Sequence, residues 1–261
     1  MKPFEFRQGD SALVVSLPHS GTYIPDEIAA RMTDAGRAVW DTDWHVPLLY
    51  DFLDAFDATV ITATHSRYVA DLDRDPQGGK LYPGQFETGV CPRTTFAGEP
   101  IWQAGAEVSD AEITSRIEIY WRPYHAQIVA ALDTAREQHG YALLLDAHSI
   151  MSEMPSLFEG RLPDLNLGTN SGASCDARIE QAAMAVFGRQ SEFSFVANGR
   201  FKGGYITRHY GHPARGIHAL QLEIGMRAYL DEAMPRRFDP ERARKLQSVL
   251  RDFVAAIVNA A

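Results

Sequence analysis

Short runs of apolar residues recur along the chain, and each run ends abruptly in polar residues. Four of these runs have the length and apolar character of buried strands. They cover Ser11–Leu17, Ala58–Ala63, Ala142–Asp146 and Ile217–Ile224. Strands that are buried on both faces, as in parallel sheets, show unbroken apolar runs instead of a strict alternation. A further strand is predicted over Glu192–Val196.

Helices are predicted between these runs, where apolar residues recur at a spacing of three and four positions. The most clearly bounded helix begins at the capping box Ser109–Glu112 and runs to Gln138, before a terminating Gly140. Pro123 is expected to kink it. Other helices are predicted over Asp26–Met32, His45–Phe56, Cys175–Phe187 and Pro240–Asn259. Strands that alternate with helices predict an α/β fold, with a mixed, largely parallel sheet flanked by helices.

Residues 76–108 interrupt this alternation, because glycine and proline punctuate them and no periodicity remains. An irregular stretch of this length inside a compact domain is typical either of a disordered insert or of a functional lid. Its aromatic content disfavours disorder. We therefore predict a single domain over residues 1–261, with a lid-like insert at about 76–108. Two further irregular loops are expected at 155–174 and 198–211.

The composition excludes several classes of protein. The net charge is −9 and the lysines and arginines are not clustered, which argues against a nucleic-acid-binding surface. Cys91 and Cys175 lie far apart, so neither a disulfide framework nor a cysteine zinc site is indicated. No apolar stretch approaches the roughly 18 residues that a membrane helix needs. We expect a cytoplasmic protein that binds neither membranes nor nucleic acids.

Residues that can carry chemistry stand at the ends of the predicted strands. His19 follows the first strand, His148 follows the third, and Glu223 lies at the end of the last. The second strand leads to Arg67 and Arg74. In open α/β sheets the ligand site lies beyond the carboxyl ends of the strands. If the strands are parallel neighbours, these side chains converge on one edge of the sheet.

Two histidines and a carboxylate suit a catalytic zinc site, in which three protein ligands leave a fourth position for water. A further glutamate that is not a ligand would be the general base for that water, and arginines would polarise a carbonyl or bind a carboxylate. Each of these residues could also have a purely structural role. The histidines could be core residues, Asp41 and Asp43 could cap a helix, Glu223 could be a buried ion-pair partner, and the arginines could be solvated charges. Their joint occurrence at strand ends favours a metal hydrolase.

A series of motifs spans nearly the whole chain. In order, it comprises PHSGTYIP, DTDWHVPLLYDF, SRYVADLDR, LYPG, WRPYH, DAHSI, EGRLPDLNLGT, NGRFKGGYITRHYG and HALQLEIG. From about Leu13 to Arg227 the chain thereby resembles the N-formylglutamate amidohydrolase family. The resemblance implies hydrolysis of a small-molecule substrate, N-formyl-L-glutamate, to formate and L-glutamate in histidine degradation, with Zn²⁺ or another divalent metal ion as cofactor. It also implies a phosphorylase/hydrolase-like fold, similar to the zinc carboxypeptidases and aspartoacylase.

The resemblance to this wider group implies a set of metal ligands. His19 and His148 match the first and last ligands of the group. The chain departs from the group at the second ligand, because Thr22 stands where the group has glutamate, and a hydroxyl is a poor zinc ligand. We expect Asp43 to be the missing ligand, with Asp41 as the nearby alternative.

The resemblance and the types of residue present together suggest the roles of the other site residues. Glu223 is expected to be the general base and Arg67 to stabilise the tetrahedral oxyanion. Asp73 stands where the group has asparagine, so we expect it to orient Arg74, and Asp146 is expected to have a supporting role. Candidate substrate-binding residues are Arg74, Arg200, Lys202, Gly203, Gly204 and Arg208. The two glycines would allow backbone N–H groups to approach the substrate.

Other functions remain open at this point. The nearest alternative is a related amidohydrolase that acts on a succinyl or acetyl amino acid. A less favoured one is a protein that binds acidic amino acids without catalysis. A serine hydrolase is disfavoured, because Ser20 and Ser149 follow histidines and the chain has no G-x-S-x-G motif.

Overall fold

A seven-stranded mixed sheet forms the centre of the computed structural model, which describes residues 1–261. Its strands are β1 (Phe4–Arg7), β2 (Leu13–Leu17), β3 (Thr59–Ala63), β4 (Ala142–Ile150), β5 (Leu165–Gly168), β6 (Phe195–Ala197) and β7 (Ile217–Gly225). They lie in the order β1-β3-β2-β4-β7-β5-β6. The neighbours β3, β2, β4 and β7 run parallel, whereas β1 and β5 are antiparallel to their central neighbours β3 and β7. The predicted α/β class with a mixed, largely parallel sheet is confirmed.

Helices flank this sheet. They are α1 (Asp26–Ala29), α2 (Asp34–Ala38), α3 (Val46–Leu49), α4 (Asp110–Arg116), α5 (Arg122–His139), α6 (Ala177–Phe187), α7 (Tyr205–Tyr210) and α8 (Pro240–Ala260). Helix α5 packs on β2, β3 and β4, α7 packs on β4 and β7, and α6 packs against α8. Phe187 of α6 stacks on Phe253 of α8, with ring centroids 5.3 Å apart. No helix is long and apolar enough to cross a membrane.

The four predicted central strands are present, and two of them are longer than predicted. Every residue of β4 and β7 is buried, which agrees with the unbroken apolar runs. The predicted strand ended at Asp146, but β4 continues to Ile150 because it pairs with β7 along its whole length. His148 therefore lies within the strand, directly beside Glu223 in the register of β7.

The flanking strands were harder to predict. β1 and β5 were missed, and β5 falls inside the loop predicted at 155–174. Each has only four residues, and its strand conformation depends on pairing with β3 or β7. The strand predicted over Glu192–Val196 is β6, displaced towards the carboxyl end.

The long helix predicted from the capping box is interrupted. The side chain of Ser109 accepts a hydrogen bond from the Glu112 N–H, and Gly140 ends α5 with a positive φ of 82°, both as predicted. Instead of a simple kink at Pro123, a single π-helical stretch over Ile117–Trp121 joins α4 to α5. Pro123 lies in the first turn of α5, where its missing N–H is tolerated.

Two other helix predictions need correction. The helix predicted over His45–Phe56 is divided into α3 and a 3₁₀ helix over Asp51–Phe56. Neither Asp41 nor Asp43 caps α3, because its N-cap residue is His45, with a positive φ of 61° and no side-chain cap. Helix α2 was missed, and α7 lies inside the loop predicted at 198–211.

Candidate active site

A cavity of about 70 Å³ lies at the carboxyl edge of the four parallel strands. Three groups of residues line it: residues of the strand ends and adjacent loops, residues of the irregular segment 76–108, and Leu157, Arg200, Phe201 and Gly204 from the loops after β4 and β6. The strand-end and adjacent-loop residues include His19, Asp43, Arg67, Arg74, His148, Gln221 and Glu223. Leu81, Tyr82, Phe86, Glu87, Thr88 and Phe96 come from the irregular segment. The structure thus brings the predicted strand-end residues to one site.

The alternation of side chains along β4 and β7 explains part of this convergence. Residues two apart on a strand face the same side of the sheet. Asp146 and His148 are two apart on β4, and they stand opposite Gln221 and Glu223 on β7. Four polar side chains from two adjacent strands therefore share one face.

Three potential metal-ligand atoms face one another in the site. Nδ1 of His148 lies 3.2 Å from Nδ1 of His19 and 3.1 Å from Oδ2 of Asp43. The remaining distance, from His19 Nδ1 to Asp43 Oδ2, is 3.8 Å. Ligand atoms about 2.0–2.1 Å from a tetrahedral zinc ion lie about 3.3 Å from one another. In donor type and spacing, His19, Asp43 and His148 fit a divalent metal ion.

Both histidines have a carboxylate at the opposite ring nitrogen. Nε2 of His19 lies 2.7 Å from Oδ1 of Asp71, and Nε2 of His148 lies 2.9 Å from Oδ2 of Asp146. The second contact is an ion pair without hydrogen-bond alignment, because neither Asp146 oxygen has a hydrogen-bond partner. Outer carboxylates of this kind set the tautomer and ring orientation of metal-binding histidines. Both rings accordingly turn Nδ1 towards Asp43.

The two histidines differ in their affinity for protons. Burial, reinforced by nearby Arg67, lowers the pKa of His19, so its Nδ1 carries a free lone pair while Nε2–H donates to Asp71. Burial alone would lower the pKa of His148 too, but the carboxylates of Asp146 and Asp43 outweigh it and hold that pKa well above its usual range. A cation bound at this point would therefore have to displace a proton from His148.

Asp41 takes no part in this group of donor atoms. Its Oδ2 accepts a hydrogen bond of 2.8 Å from the backbone N–H of Phe96. Asp41 thereby holds the irregular segment 76–108 against the strand ends. Of the two aspartates between which the sequence left the choice open, the geometry favours Asp43 as the third ligand.

Glu223 lies beside the three donor atoms and is buried. Burial raises the pKa of Glu223 to about 8, against the opposing effect of His148. Gln221 donates a hydrogen bond of 3.3 Å to Oε2 of Glu223. A carboxylate with this pKa can accept a proton near neutral pH, which is the property that a general base requires.

Arg67 is buried and fixed by carboxylates. Its Nη2 and Nε donate to Oδ2 of Asp71 at 2.7 and 3.2 Å, and its guanidinium lies over the ring of Phe96. Burial would lower the pKa of Arg67, but Asp71 and Asp43 outweigh it, so the side chain stays cationic. Asp71 therefore orients a histidine and an arginine of the site at once, a role that was not predicted.

Two further arginines reach the cavity, Arg74 and Arg200. Arg74 is anchored by main-chain oxygens, because Nε donates to Thr88 and Nη1 to Asp73. Arg200 donates from Nε to the Leu157 oxygen at 2.6 Å. Its Nη1 is buried without a hydrogen-bond partner. The cavity thus contains three guanidinium groups, which suits a ligand with more than one negative charge.

The remaining predicted substrate-binding residues lie around the cavity instead of lining it, except for Gly204. The Lys202 side chain is exposed, and Arg208 donates to the main-chain oxygens of Gly203 and Leu81. The Gly204 N–H already donates to Gln221. Direct substrate contact by these four residues stays a prediction.

Asp73 contacts Arg74 through its main-chain oxygen, whereas its carboxylate has another partner. It accepts a hydrogen bond of 2.7 Å from the Ile206 N–H in the first turn of α7. A Cβ at position 204 would lie 1.6 Å from Asp73 Oδ2, which explains why that position is glycine. Burial, together with the charge of Asp146, raises the pKa of Asp73 to about 7.

A buried carboxylate with a raised pKa beside a cluster of potential metal-ligand atoms, at the carboxyl edge of an α/β sheet, is typical of metal-dependent hydrolases. The chain belongs to the N-formylglutamate amidohydrolase family, whose sequence model matches residues 11–230. The N-formylglutamate deformylase of Pseudomonas putida is 44% identical over 257 residues, which cover 98% of this chain and 96% of that protein. The N-formylglutamate deformylase of Pseudomonas aeruginosa is 42% identical over 253 residues, 97% of this chain and 95% of that protein. The family resemblance and the hydrolase class are confirmed.

Solved structures agree with this assignment. The crystal structure of N-formylglutamate amidohydrolase from Ralstonia eutropha JMP134 has a TM-score of 0.81 and 25% sequence identity, and the match covers 99% of this chain and 97% of that chain. A gene product of Agrobacterium tumefaciens has a TM-score of 0.70 at 17% identity, over 98% and 96% of the two chains. At that identity the second structure supports the fold alone.

Proposed function

We propose that this protein hydrolyses N-formyl-L-glutamate to formate and L-glutamate with a divalent metal ion, Zn²⁺ or another, bound by His19, Asp43 and His148. The observation that carries the proposal is the spacing of three donor atoms, 3.1–3.8 Å apart, beside the buried Glu223. Two relatives that are 44% and 42% identical bear the name N-formylglutamate deformylase. The small-molecule substrate and a cytoplasmic role in histidine degradation are part of the same proposal.

A bound divalent ion supplies Lewis acidity, which lowers the pKa of water and polarises a carbonyl. Glu223 accepts the proton of the attacking water and later delivers it to the leaving nitrogen of glutamate. The pKa of about 8 that burial gives Glu223 suits both halves of this transfer, because the group can bind and release a proton near neutral pH. Gln221 holds the carboxylate through Oε2.

The three arginines of the cavity bind different negative charges, namely the developing oxyanion and the two substrate carboxylates. Arg67, held rigid by Asp71, donates to the formyl oxygen as charge develops on it, a type of contact worth about 3–4 kcal/mol where it has been removed. N-formylglutamate carries two carboxylates. Arg74 and Arg200 are our candidates for binding them, because both reach the cavity and Arg200 has an unpartnered nitrogen.

The segment 76–108 serves as the lid in this proposal. Tyr82 anchors it to the loop after β6, because its hydroxyl donates to the Gly203 oxygen and accepts from the Lys202 N–H. The guanidinium groups of Arg200 and Arg208 both lie against the Tyr82 ring, 4.9 and 4.8 Å from its centroid. The lid would exclude water and restrict the acyl pocket to a small group such as formyl.

A panel of N-acyl amino acids tests this proposal. We expect kcat/KM to be highest for N-formyl-L-glutamate and lower for N-acetyl-L-glutamate by about 10- to 200-fold, the range for one extra carbon in a close-fitting pocket. Release of formate, acetate or succinate is measured at fixed enzyme concentration. Faster hydrolysis of the acetyl or succinyl compound would assign the protein to another amidohydrolase activity. Glutamate binding with no bound metal and no hydrolysis would indicate a binding protein.

A further inference from the structure

One face of the interrupted helix from α4 to α5 holds the irregular segment Tyr68–Arg74 through main-chain oxygens. Nη1 of Arg116 donates to the Val69 oxygen at 3.1 Å. Nε2 of His125 donates to the Leu72 oxygen at 2.7 Å, and Nε1 of Trp121 donates to the Arg74 oxygen at 3.0 Å. These donors take the place of a hydrogen-bonded strand or helix, which this segment lacks.

The protonation of His125 is determined by its partners. A main-chain oxygen can only accept, so Nε2 carries the proton. Burial lowers the pKa of His125 to about 3, so the ring is neutral and Nδ1 accepts from the Tyr210 hydroxyl at 2.8 Å. The ring also stacks on Trp121, with centroids 3.6 Å apart and planes at 15°. His125 is therefore a rigid, neutral donor.

The π-helical stretch brings the three donors to the same face. In a regular α-helix, the nine positions from Arg116 to His125 correspond to about two and a half turns, so the two side chains would point to opposite sides. The stretch Ile117–Trp121 takes in an extra residue, as π-bulges do, and such bulges are frequent at functional sites. Arg116, Trp121 and His125 consequently all contact the same segment.

The segment they hold carries the groups that the proposed chemistry needs. Asp71 orients both His19 and Arg67. The oxygen that Trp121 binds belongs to Arg74 itself, and the oxygen that His125 binds belongs to the residue just after Asp71. Displacement of this backbone would therefore move Arg74, a proposed substrate-binding residue, and Asp71, which supports the proposed metal ligand His19.

We propose that Trp121 and His125 are positioning residues of this enzyme. Trp121 places Arg74 for the substrate carboxylate, and His125 places Asp71 behind His19 and Arg67. The roles assigned to Arg74 and Asp71 rest on the proposed function. The attachment of segment Tyr68–Arg74 to the helix is independent of the proposed function.

The Trp121→Phe variant tests the first half, because it keeps an aromatic ring on His125 and removes the N–H. We expect KM for N-formyl-L-glutamate to rise about 3- to 10-fold, the equivalent of one hydrogen bond, while kcat stays within about 2-fold and metal affinity is unchanged. The control is Ser174→Ala, which also removes a buried side-chain donor to a main-chain oxygen, here that of Ala219 at 2.8 Å, outside the cavity and the lid. In the control we expect lower thermal stability and an unchanged KM.

The pair His125→Phe and His125→Gln tests the second half. Phenylalanine keeps the ring stack and loses the donor, so we expect metal affinity, measured by chelator competition, to fall about 3- to 10-fold. Glutamine can present an amide N–H near the position of Nε2, so it should restore most of that affinity. A purely structural role would lower stability in both variants without this rescue.

Hydrogen–deuterium exchange of the 67–76 backbone gives a readout that depends on no assumed substrate or metal. Exchange should rise in Trp121→Phe and His125→Phe and stay at the wild-type level in Ser174→Ala. Unchanged exchange of this segment in both variants would overturn the inference. So would equal losses of stability in all three variants with KM and metal affinity unchanged. Wild-type protein that fails to release formate would overturn the proposed function instead.

Discussion

The Glu223→Gln variant is expected to bind metal as the wild type does and to lose about 10²- to 10⁴-fold in kcat, the range for removal of a general base. Glutamine preserves the size of the side chain but cannot accept the proton of the attacking water. Metal content is measured on the same sample as formate release. A suitable control is Glu180→Gln, since Glu180 bonds to Thr169 and Asn198 outside the cavity.

The pH profile adds a second readout for Glu223. The base must be ionised to act, and burial raises its pKa to about 8, so kcat/KM should rise with pH along an acid limb. A bound cation favours the ionised form and moves the midpoint of that limb below 8. The limb should disappear in the residual activity of Glu223→Gln. Near-normal turnover in this variant would contradict the role of Glu223 as base.

The Asp43→Ala variant is expected to lower metal affinity by more than about 100-fold. Loss of a residue that only supports a ligand typically costs 10- to 100-fold, and Asp43 supplies a donor atom directly. Its Oδ2 lies 3.1 Å from His148 Nδ1, so the substitution also removes an ion-pair partner of that ring. Chelator competition measures the affinity of each purified variant.

The matched control for Asp43 is Asp41→Ala. Both aspartates are buried, but Asp41 accepts a hydrogen bond from the Phe96 N–H instead of facing the two histidines. Its loss should therefore reduce stability by about 1–3 kcal/mol and leave metal affinity within a few-fold of the wild type. A larger loss of affinity in Asp41→Ala than in Asp43→Ala would reverse the assignment of the third ligand.

The central strands of the sheet could be predicted from the sequence, whereas the flanking strands could not. A strand buried on both faces must be apolar along its length, so β2, β3, β4 and β7 were visible as runs. β5 has only four residues and pairs with β7 in the antiparallel sense, a contact between residues more than fifty positions apart. Nothing in its own residues requires that contact.

The residues of the site that stand at the ends of the central strands could be predicted in the same way. His19, His148 and Glu223 stand at or near strand ends, and the parallel order of the strands brings them together. The partners of these residues depend on loop geometry instead. Asp71 lies four positions after Arg67 in an irregular segment, and its contact with His19 follows only once that segment has been placed.

The face that the interrupted helix from α4 to α5 presents to this segment could likewise be predicted only in part. A regular helical repeat predicts only that Trp121 and His125 share a face, since they are four positions apart. The alignment of Arg116 with them depends on the π-helical stretch, which the sequence pattern did not indicate. Two residues of the motif WRPYH donate to the segment that carries Arg74, a role that the sequence pattern did not predict.

Removal and restoration of the metal, with N-formyl-L-glutamate as substrate, shows whether hydrolysis depends on a bound divalent ion. Purified protein is assayed for formate release and bound metal, treated with a chelator, and assayed again after addition of Zn²⁺ or another divalent ion. We expect formate release to fall with metal content and to return when the ion is restored. Formate release that persists unchanged in protein shown to be free of metal would contradict the proposed dependence on a metal ion.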